Sequence, residues 1–541
     1  RLKKEALSVK FAGLDIGQMS QLPLSQVADV LRRKVDLPDD KRLVADRIGR
    51  DLVARIATLE QLGLGYLSLD RSTPTLSPGE LQRLRLATQL ASQLFGVIYV
   101  LDEPTAGLHP ADGQALFDAL HRLKKSGNSL FVVEHDVEMM RRADWLVDVG
   151  PEAGSQGGQV LYSGAPEGLA QVSESRTRQY LFNEIKPPPA PTREPAGWLK
   201  LEQVTRNNLA AVDAAFPLQC FTAVTGVSGS GKSSLVSQAL LELMHDHLDM
   251  PLDAVEDEAS LEDAPAQTTS GRLGGDYKSI RRVVQVDQKP IGRTPRSNLA
   301  TYTGLFDHVR KLFAATPDAR RRKFDAGRFS FNVAKGRCAT CEGEGSVSVE
   351  LLFMPSVYAP CPVCHGARYN EKTLEVKWRG KSIAEVLDLT VDAAAELFAD
   401  EAPVLRSLDF LRDIGLGYLR LGQPATELSG GEAQRIKLAT ELQRAQRGAT
   451  LYVLDEPTTG LHPRDIDRLL VQLNRLVDAG NTVVVVEHDM RTVAQCDWVI
   501  DMGPGAGDRG GNIVVAGRPA EVARNAASRT APHLAAALKS R

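Results

Sequence analysis

The stretch that decides the fold is YVLDEPTAGLHP at Tyr99–Pro110, which returns as YVLDEPTTGLHP at Tyr452–Pro463. Each copy is an apolar run that ends in two acidic residues and a Pro-containing turn. The repeat extends outward through three further pairs of matching segments: Leu62–Leu90 with Ile414–Leu442, Asn128–Asp136 with Asn481–Asp489, and Asp144–Val160 with Asp497–Ile513. Helical segments alternating with near-continuous Val/Ile/Leu strands are typical of a buried parallel sheet. The sequence therefore predicts an α/β fold present in two copies.

The bulk composition narrows the class of protein. At 541 residues, the chain has room for about two to four domains. The net charge of −3 gives no overall reason to expect nucleic acid, so any such contact depends on a local basic patch. We find no apolar run that would span a bilayer and no signal-peptide pattern, which predicts a cytoplasmic protein without a membrane partner. The chain opens on Arg1 rather than Met, and we expect its true start to lie upstream.

A phosphate-binding loop occurs once, as GVSGSGKSSL at Gly226–Leu235. It follows the apolar run FTAVT and precedes a helix, which is the context that this motif requires. Its glycines turn backbone N–H groups toward phosphates, Lys232 reaches the β- and γ-phosphates of ATP, and the Ser233 hydroxyl ligates Mg²⁺. The predicted nucleotide-binding residues of the loop are Gly226, Ser228, Gly229, Ser230, Gly231, Lys232, Ser233 and Ser234.

The acidic strand ends of the repeat supply the other half of a nucleotide site. Asp455 is placed to hold Mg²⁺ and Glu456 to polarise the attacking water. Asp102 and Glu103 offer the same pair in the first copy. The expected sensors of the γ-phosphate are the histidines that end two further apolar strands, His135 and His488.

The segment LSGGEAQR at Leu428–Arg435 is the signature motif of the ABC ATPases, and both copies resemble that family. The family places each nucleotide between the phosphate loop of one half and the signature of the other. Ser77 and Gly79 would then complete the site of Lys232, whereas Ser429, Gly430 and Gly431 would face Asp102, Glu103 and His135. The phosphate loop of that second site is expected upstream of Arg1. In the first signature, Pro78 stands where the second has Gly430, which removes an N–H donor and predicts unequal sites.

Two C-x-x-C pairs, CATC at Cys338–Cys341 and CPVC at Cys361–Cys364, have the spacing of a closed four-thiolate Zn²⁺ site. The predicted ligands are Cys338, Cys341, Cys361 and Cys364, and the metal is expected to be structural. The segment between the pairs, Glu342–Pro360, reads as a hairpin whose apolar centre would probe a distorted duplex.

A basic run precedes the cysteines at Ala319–Arg337 and is interleaved with Phe324, Phe329 and Phe331. Basic residues alternating with aromatics beside a zinc hairpin favour nucleic-acid binding over a merely solvated face. The candidate contacts are Arg320, Arg321, Arg322, Lys323, Arg328, Lys335 and Arg337.

Taken together, the chain resembles the UvrA family, the damage-recognition subunits of bacterial excision repair. The resemblance rests on DEPTTGLH, on Asp287–Asp307 and on GRFSFNV followed by the two C-x-x-C pairs, called the two knuckles below. It covers essentially all of the chain. It implies a DNA-binding ATPase that uses ATP, Mg²⁺ and Zn²⁺, forms homodimers, binds distorted double-stranded DNA and hands it to a UvrB-like helicase without acting as a nuclease. It also implies that Gln288 is the Gln-loop residue.

The predicted architecture is a tandem of ABC-type ATPase domains with an inserted zinc module. We expect residues 1–61 to be the tail of an insertion in the first half, 62–184 the rest of that half, 185–197 a linker, 198–303 the start of the second half, 304–412 the inserted module and 413–541 the end of the second half. Below, "first half" denotes residues 1–184 and "second half" residues 198–541.

Three alternatives remain open at this stage. A UvrA-like paralogue for resistance to drugs or DNA adducts would share every motif. A transporter ATPase subunit would share the nucleotide motifs but has no use for a zinc hairpin. In a third interpretation, the protein is a DNA-binding scaffold that ATP only clamps and that does not act as an enzyme. Pro78 leaves this interpretation open, because it removes an N–H donor from the first signature. A chromosome-maintenance ATPase is disfavoured, since the sequence shows no long heptad repeats.

Overall fold

The computed structural model describes residues 3–33, 35, 38–73, 76, 78–91, 94–152, 154, 157–185, 192–248, 269–292, 294–351, 354–444 and 448–539. The strands are β1 (Ile98–Asp102), β2 (Ser129–Val133), β3 (Leu146–Gly150), β4 (Gln159–Gly164), β5 (Trp198–Arg206), β6 (Leu209–Pro217), β7 (Phe221–Gly226), β8 (Ser270–Gly275), β9 (Arg282–Val286), β10 (Ser346–Leu351), β11 (Met354–Pro360), β12 (Lys377–Trp378), β13 (Lys381–Ser382), β14 (Thr450–Asp455), β15 (Thr482–Val486), β16 (Trp498–Gly503) and β17 (Asn512–Gly517).

The helices are α1 (Lys4–Ser8), α2 (Ile16–Gln21), α3 (Leu24–Arg32), α4 (Asp39–Gln61), α5 (Pro78–Ala91), α6 (Pro110–Lys125), α7 (Val137–Arg141), α8 (Arg176–Leu181), α9 (Leu241–His247), α10 (Leu299–Tyr302), α11 (Leu305–Ala314), α12 (Pro317–Arg321), α13 (Glu371–Leu374), α14 (Ile383–Leu387), α15 (Val391–Leu397), α16 (Ala402–Asp413), α17 (Gly430–Arg444), α18 (Pro463–Asp478), α19 (Met490–Val493), α20 (Pro519–Val522) and α21 (Ala531–Lys539). A π-helical segment, Ser234–Leu240, leads into α9. None of the helices in the described ranges is long and apolar enough to cross a bilayer.

The second half is built on a six-stranded sheet with the order β17-β16-β7-β15-β14-β9. All neighbours are parallel except β17, which runs antiparallel to β16. Every residue of β7 and of β15 is buried, as expected for central strands covered on both faces. The carboxyl ends of β7, β14 and β15 therefore meet at one edge of the sheet, where the sequence places the phosphate loop, the acidic pair and His488.

The helix that follows each acidic strand begins in the same way in both halves. In α18, Pro463 occupies the first turn, and the side chain of His462 accepts a hydrogen bond from the Arg464 backbone N–H. Its buried apolar residues after the first turn recur at helical spacing: Ile466, Leu469, Leu470, Leu473, Leu476 and Val477. This is the amphipathic pattern of a helix packed on a sheet. In α6 the corresponding cap is His109 followed by Pro110.

In the first half, β1 pairs in parallel with β2, and β3 pairs antiparallel with β4, as two separate two-stranded sheets. In the second half, β7 lies between β15 and β16, the strands that correspond to β2 and β3. No strand of the described residues takes that place in the first half, and Val100 and Phe131 are 71% and 60% exposed. The two halves thus share helices and strand pairs but not a complete sheet.

Two segments outside the six-stranded sheet remain to be described, the acidic stretch after the phosphate-loop helix and the linker. The stretch His245–Asp276 is rich in acidic and small residues, a composition typical of a loop, but it contributes the end of α9 and the strand β8, which pairs with β5; residues 249–268 lie outside the described ranges. Of the expected linker, residues 186–191 also lie outside them. Arg193, at its far end, bonds the carboxylates of Asp497 and Asp478 at 2.9 and 2.7 Å.

Candidate nucleotide site and cysteine cluster

The phosphate loop connects β7 to the π-helical segment, and its glycines have conformations that a side chain would not permit. Gly226, Gly229 and Gly231 have φ angles of 138°, 74° and 101°. A Cβ on Gly226 would lie 2.1 Å from the backbone oxygen of Met502. All three positions favour glycine because other residues rarely adopt such φ values. At Gly226 the backbone of Met502 also leaves no room for a side chain, whereas Gly229 and Gly231 face the side chains of Tyr66 and Asn208. Ser233 and Ser234 follow at the start of the helix.

Lys232 lies under this loop. Its Nζ donates hydrogen bonds to the backbone oxygens of Gly226 and Val227, each at 2.9 Å. Burial lowers the pKa of Lys232 to about 8, although the nearby carboxylates of Glu456 and Asp112 oppose that shift. The hydroxyls of the loop serines, Ser228 and Ser230, are buried without a hydrogen-bond partner among the described residues. Buried polar atoms without a partner indicate that the loop is shaped for a polar ligand.

The acidic pair lies at the carboxyl end of β14, beside the loop. Asp455 accepts a hydrogen bond from the Ser237 hydroxyl at 3.1 Å, and burial, together with the charge of Glu456, raises its pKa to about 6. Glu456 has a φ of 43°, and its Oε1 lies 3.5 Å from Nε2 of His488. Burial alone would raise the pKa of Glu456, but the contact with His488 and the charge of Lys232 produce a net downward shift. Gln288, just after β9, donates to the backbone oxygen of Glu456 at 3.2 Å.

His488 is 8% exposed. Burial and the charge of Lys232 lower its pKa, which favours the neutral imidazole. Its Nδ1 is buried without a partner among the described residues. A neutral imidazole between a carboxylate and the phosphate loop can orient a water or contact a phosphate oxygen.

Residues of the first half border this loop. Asp112, in the first turn of α6, accepts a hydrogen bond from the backbone N–H of Ser228 at 3.0 Å. The ring of Tyr66 lies against Gly229, where an added Cβ would be 2.7 Å from it. The Tyr66 hydroxyl donates to Glu80, near the start of α5. The face of the first half that carries its signature thus lies over the phosphate loop, although Ser77 itself is outside the described residues.

Gly79 occupies a tight position in the same region. A Cβ there would approach the backbone oxygen of Ala106 to 2.9 Å, so the first signature turn packs against the turn that follows Glu103. In the second half Gly431 has the corresponding contact with Thr459 at 3.4 Å, whereas Gly430 lies beside Gln288.

The second predicted site is more open. Glu103 has a φ of 44°, its Oε1 lies 3.7 Å from His135 Nε2, and burial raises its pKa. The side chain of His135 is 36% exposed, against 9% for His488, and Asp102 is exposed. Ser429 and Glu432 cap the start of α17 reciprocally. The described residues bring these groups to the same interface but place no phosphate loop beside them.

Two matching chains of hydrogen bonds join the halves, a feature that the sequence analysis missed: His109–Thr530–Asp501 and His462–Thr177–Asp148. In the first chain, His109 Nε2 lies 3.0 Å from the Thr530 hydroxyl, which donates to Asp501 at 2.6 Å. The repeated GLHP was a visible signal, because a histidine that returns in register within a repeat points to a shared contact. Tyr66 and Asp112 carried a similar signal, since Tyr418 and Asp465 are their counterparts in the repeat.

The four predicted metal ligands come together. The sulfurs of Cys338, Cys341, Cys361 and Cys364 all lie within 4.8 Å of one another, and those of Cys341 and Cys364 are 3.6 Å apart. Tetrahedral Zn²⁺ with bonds of about 2.3 Å would separate its sulfurs by about 3.8 Å. The cluster therefore has the donor type and the spacing that zinc requires.

The basic run is only partly available to a ligand. Arg321, Arg322 and Arg337 pair with Asp318, Glu375 and Glu342, and Arg328 stacks 4.3 Å above the ring of Phe324. Arg320, Lys323 and Lys335 are exposed. The expectation that the aromatics serve nucleic-acid binding is wrong for Phe329 and Phe331, which are 0% and 1% exposed and belong to the core. The apolar centre of the hairpin, Leu352 and Phe353, lies outside the described residues.

Comparison with known proteins decides the family. No protein-family model matches the chain. The chain is 51% identical over 529 residues to UvrABC system protein A of Thermus thermophilus and 48% identical over 538 residues to that of Bacillus subtilis, and these matches cover 97% and 99% of the chain. The crystal structure of UvrA2 from Deinococcus radiodurans superposes with a TM-score of 0.93 at 64% identity over 99% of the chain. The chain belongs to the UvrA family.

The similarity to the UvrA family confirms the tandem ABC-type architecture. The chain covers 54% of each of the two UvrABC system proteins and 65% of the UvrA2 structure, so it spans about half the length of the curated relatives. These comparisons favour neither the drug-resistance paralogue nor the transporter subunit.

Proposed function

We propose that this chain is the ATP-hydrolysing part of a protein that recognises damaged DNA in nucleotide excision repair. The observation that carries the proposal is the phosphate loop of the second half, bordered by Glu456 and His488 from its own half and by Asp112 and Tyr66 from the first. A nucleotide bound there contacts both halves, so ATP binding and hydrolysis regulate how they are held together.

The residue roles follow from this geometry. The loop N–H groups and Lys232 bind the phosphates, Ser233 and Asp455 hold Mg²⁺, and Gln288 positions the end of β14. Mg²⁺ neutralises charge on the transferred phosphoryl group. Glu456 accepts a proton from the attacking water, and His488 orients that water. Ser77 and Gly79 complete the site from the first half. In the second site Asp102, Glu103 and His135 take the same roles opposite Ser429, Gly430 and Gly431.

The inserted region supplies the contact with DNA. A zinc ion held by Cys338, Cys341, Cys361 and Cys364 fixes the two knuckles, and the exposed Arg320, Lys323 and Lys335 contact the phosphates of a distorted duplex. Two copies of the protein act as a homodimer and pass the DNA to a UvrB-like helicase; the chain itself is an ATPase and not a nuclease. We retain the six-part domain division as a proposal.

ATP turnover with and without damaged duplex DNA tests this function. Glu456→Gln should reduce turnover by about 100-fold or more, because a general base contributes about that factor, whereas ATP binding should persist. The matched variant Glu103→Gln changes the corresponding residue of the other half and should have a smaller effect. We also expect damaged DNA to change the turnover rate. Turnover that is indifferent to DNA, or unchanged by Glu456→Gln, would contradict the proposal.

A further inference from the structure

A carboxylate from the first half occupies a position on the phosphate loop that suits a phosphate oxygen. Asp112 Oδ2 accepts the hydrogen bond of the Ser228 backbone N–H at 3.0 Å. Backbone N–H groups of such loops are the donors that nucleotide phosphates use. A carboxylate oxygen accepts the same hydrogen bond as a phosphate oxygen and also carries negative charge. The contact therefore places an anion of one half on the anion-binding loop of the other.

The position of Asp112 identifies the part of the loop that it covers. The charge of Asp112 acts on both Lys232 and His488, and these residues border the space where the terminal phosphate of ATP would lie. The hydroxyls of Ser228 and Ser230 in the same loop are buried without a partner among the described residues. The loop around the Ser228 N–H therefore has polar groups that Asp112 does not satisfy and that are available to a ligand.

We propose that Asp112, acting from the opposite half, discriminates ATP from ADP at the nucleotide site. This inference rests on the function proposed for that site. Its carboxylate holds the Ser228 N–H when no terminal phosphate is present. The γ-phosphate of ATP competes for that N–H and is repelled by the carboxylate, so binding of ATP displaces the Asp112 side chain from the Ser228 N–H. ADP lacks that phosphate and leaves the contact in place. The nucleotide that is bound thus determines whether the contact between Asp112 and Ser228 is kept.

The repeat provides a matched control residue. Asp465 occupies the corresponding first turn of α18 and lies near Gly415 and 3.7 Å from Arg468. No phosphate loop of the described residues faces Asp465. Replacing Asp465 thus makes the same chemical change in the same helical position without touching the loop.

Dissociation constants for ATP and ADP, measured by competition with a fluorescent nucleotide on the full chain, test the proposal. The amide oxygen in Asp112→Asn still accepts from Ser228, so the variant removes charge and preserves the hydrogen bond. Removing a charge near the γ-phosphate should tighten ATP binding by about tenfold or more and change ADP binding by less than about threefold. Asp465→Asn should change neither constant.

An equal shift for ATP and ADP, or no shift for either, would overturn the role of Asp112. Lys232→Ala separates that failure from a failure of the nucleotide site itself. If Lys232→Ala weakens both nucleotides but Asp112→Asn has no selective effect, only the discrimination by Asp112 is wrong. If Lys232→Ala leaves nucleotide binding intact, the proposed site is wrong, and the role of Asp112 is wrong with it.

Discussion

Glu456 of the second half lies directly against Gly107 of the first, so closely that a Cβ on Gly107 would be 2.7 Å from the Glu456 carboxylate. The same relationship joins Glu103 and Gly460, where the corresponding distance is 2.8 Å. The two halves therefore exchange contacts reciprocally: each proposed general base abuts the turn that follows the other. Both glycines have left-handed backbones, with φ of 65° and 70°.

The first prediction follows from this exchange. Gly107→Ala should reduce ATP turnover at the Lys232 site by about tenfold or more, because the added methyl displaces the carboxylate that activates water. Steady-state turnover on the full chain measures the effect. Gly460→Ala is the control, because it introduces a similar left-handed strain of about 1–2 kcal/mol but faces Glu103. Equal losses in the two variants would show that strain, rather than the contact with Glu456, is responsible.

The second prediction concerns pH. In the free protein, burial lowers the pKa of Lys232 to about 8, so the ammonium that attracts phosphates is almost fully present at about pH 7, is half lost at about pH 8 and is mostly lost at higher pH. The dissociation constant for ATP should be level between about pH 6.5 and 7.5 and should rise above pH 8 by up to about tenfold for each pH unit. Titration of binding against pH measures this.

Lys232→Arg provides the control for that titration. Arginine remains protonated over this range, so the variant, although weaker in binding, should show no rise above pH 8. A rise of the same size in Lys232→Arg would assign the pH dependence to another group.

The third prediction concerns the cysteine cluster. Cys361→Ser should release bound zinc, measured by metal analysis, because four thiolates are needed to close the site. Discrimination between damaged and intact duplex should fall, while ATP turnover without DNA should be retained. Cys496→Ser, in the core away from the cluster, should keep its zinc. Full discrimination after loss of the metal would remove the proposed role of the knuckles.

The fourth prediction separates exposed from paired basic residues. Lys335→Ala or Lys323→Ala should lower the slope of log affinity for DNA against log salt by about one unit, as expected when one phosphate contact is lost. Arg322→Ala should change the slope less, since its guanidinium pairs with Glu375. Filter binding over a range of salt concentrations measures the slopes. Identical slopes in all three variants would place the DNA elsewhere.

The sequence predicted where the glycine-rich loop and the cysteine cluster form, because each depends on residues that are close in the chain. The loop at Gly226–Ser233 needed only its glycines and the flanking apolar run, and the two C-x-x-C pairs needed only their spacing. The repeat marked Asp112 and Tyr66 as contact residues, but their partners Ser228 and Gly229 could not be predicted, since these contacts join distant segments of the chain. Alternation of basic and aromatic residues was misleading at Phe329 and Phe331, because the pattern does not reveal which side of a loop faces the core.

Arg193 and Glu184 set a limit on how far the halves can travel. Arg193 is fastened to the second half through Asp497 and Asp478, and Glu184 is fastened to the first through Arg178 at 2.9 Å. The nine residue steps between these anchors reach about 30 Å when fully extended. While both ion pairs hold, the two halves cannot separate at this joint by more than that length. Loss of the Arg193 ion pairs would lengthen the connection between the halves but would not break it.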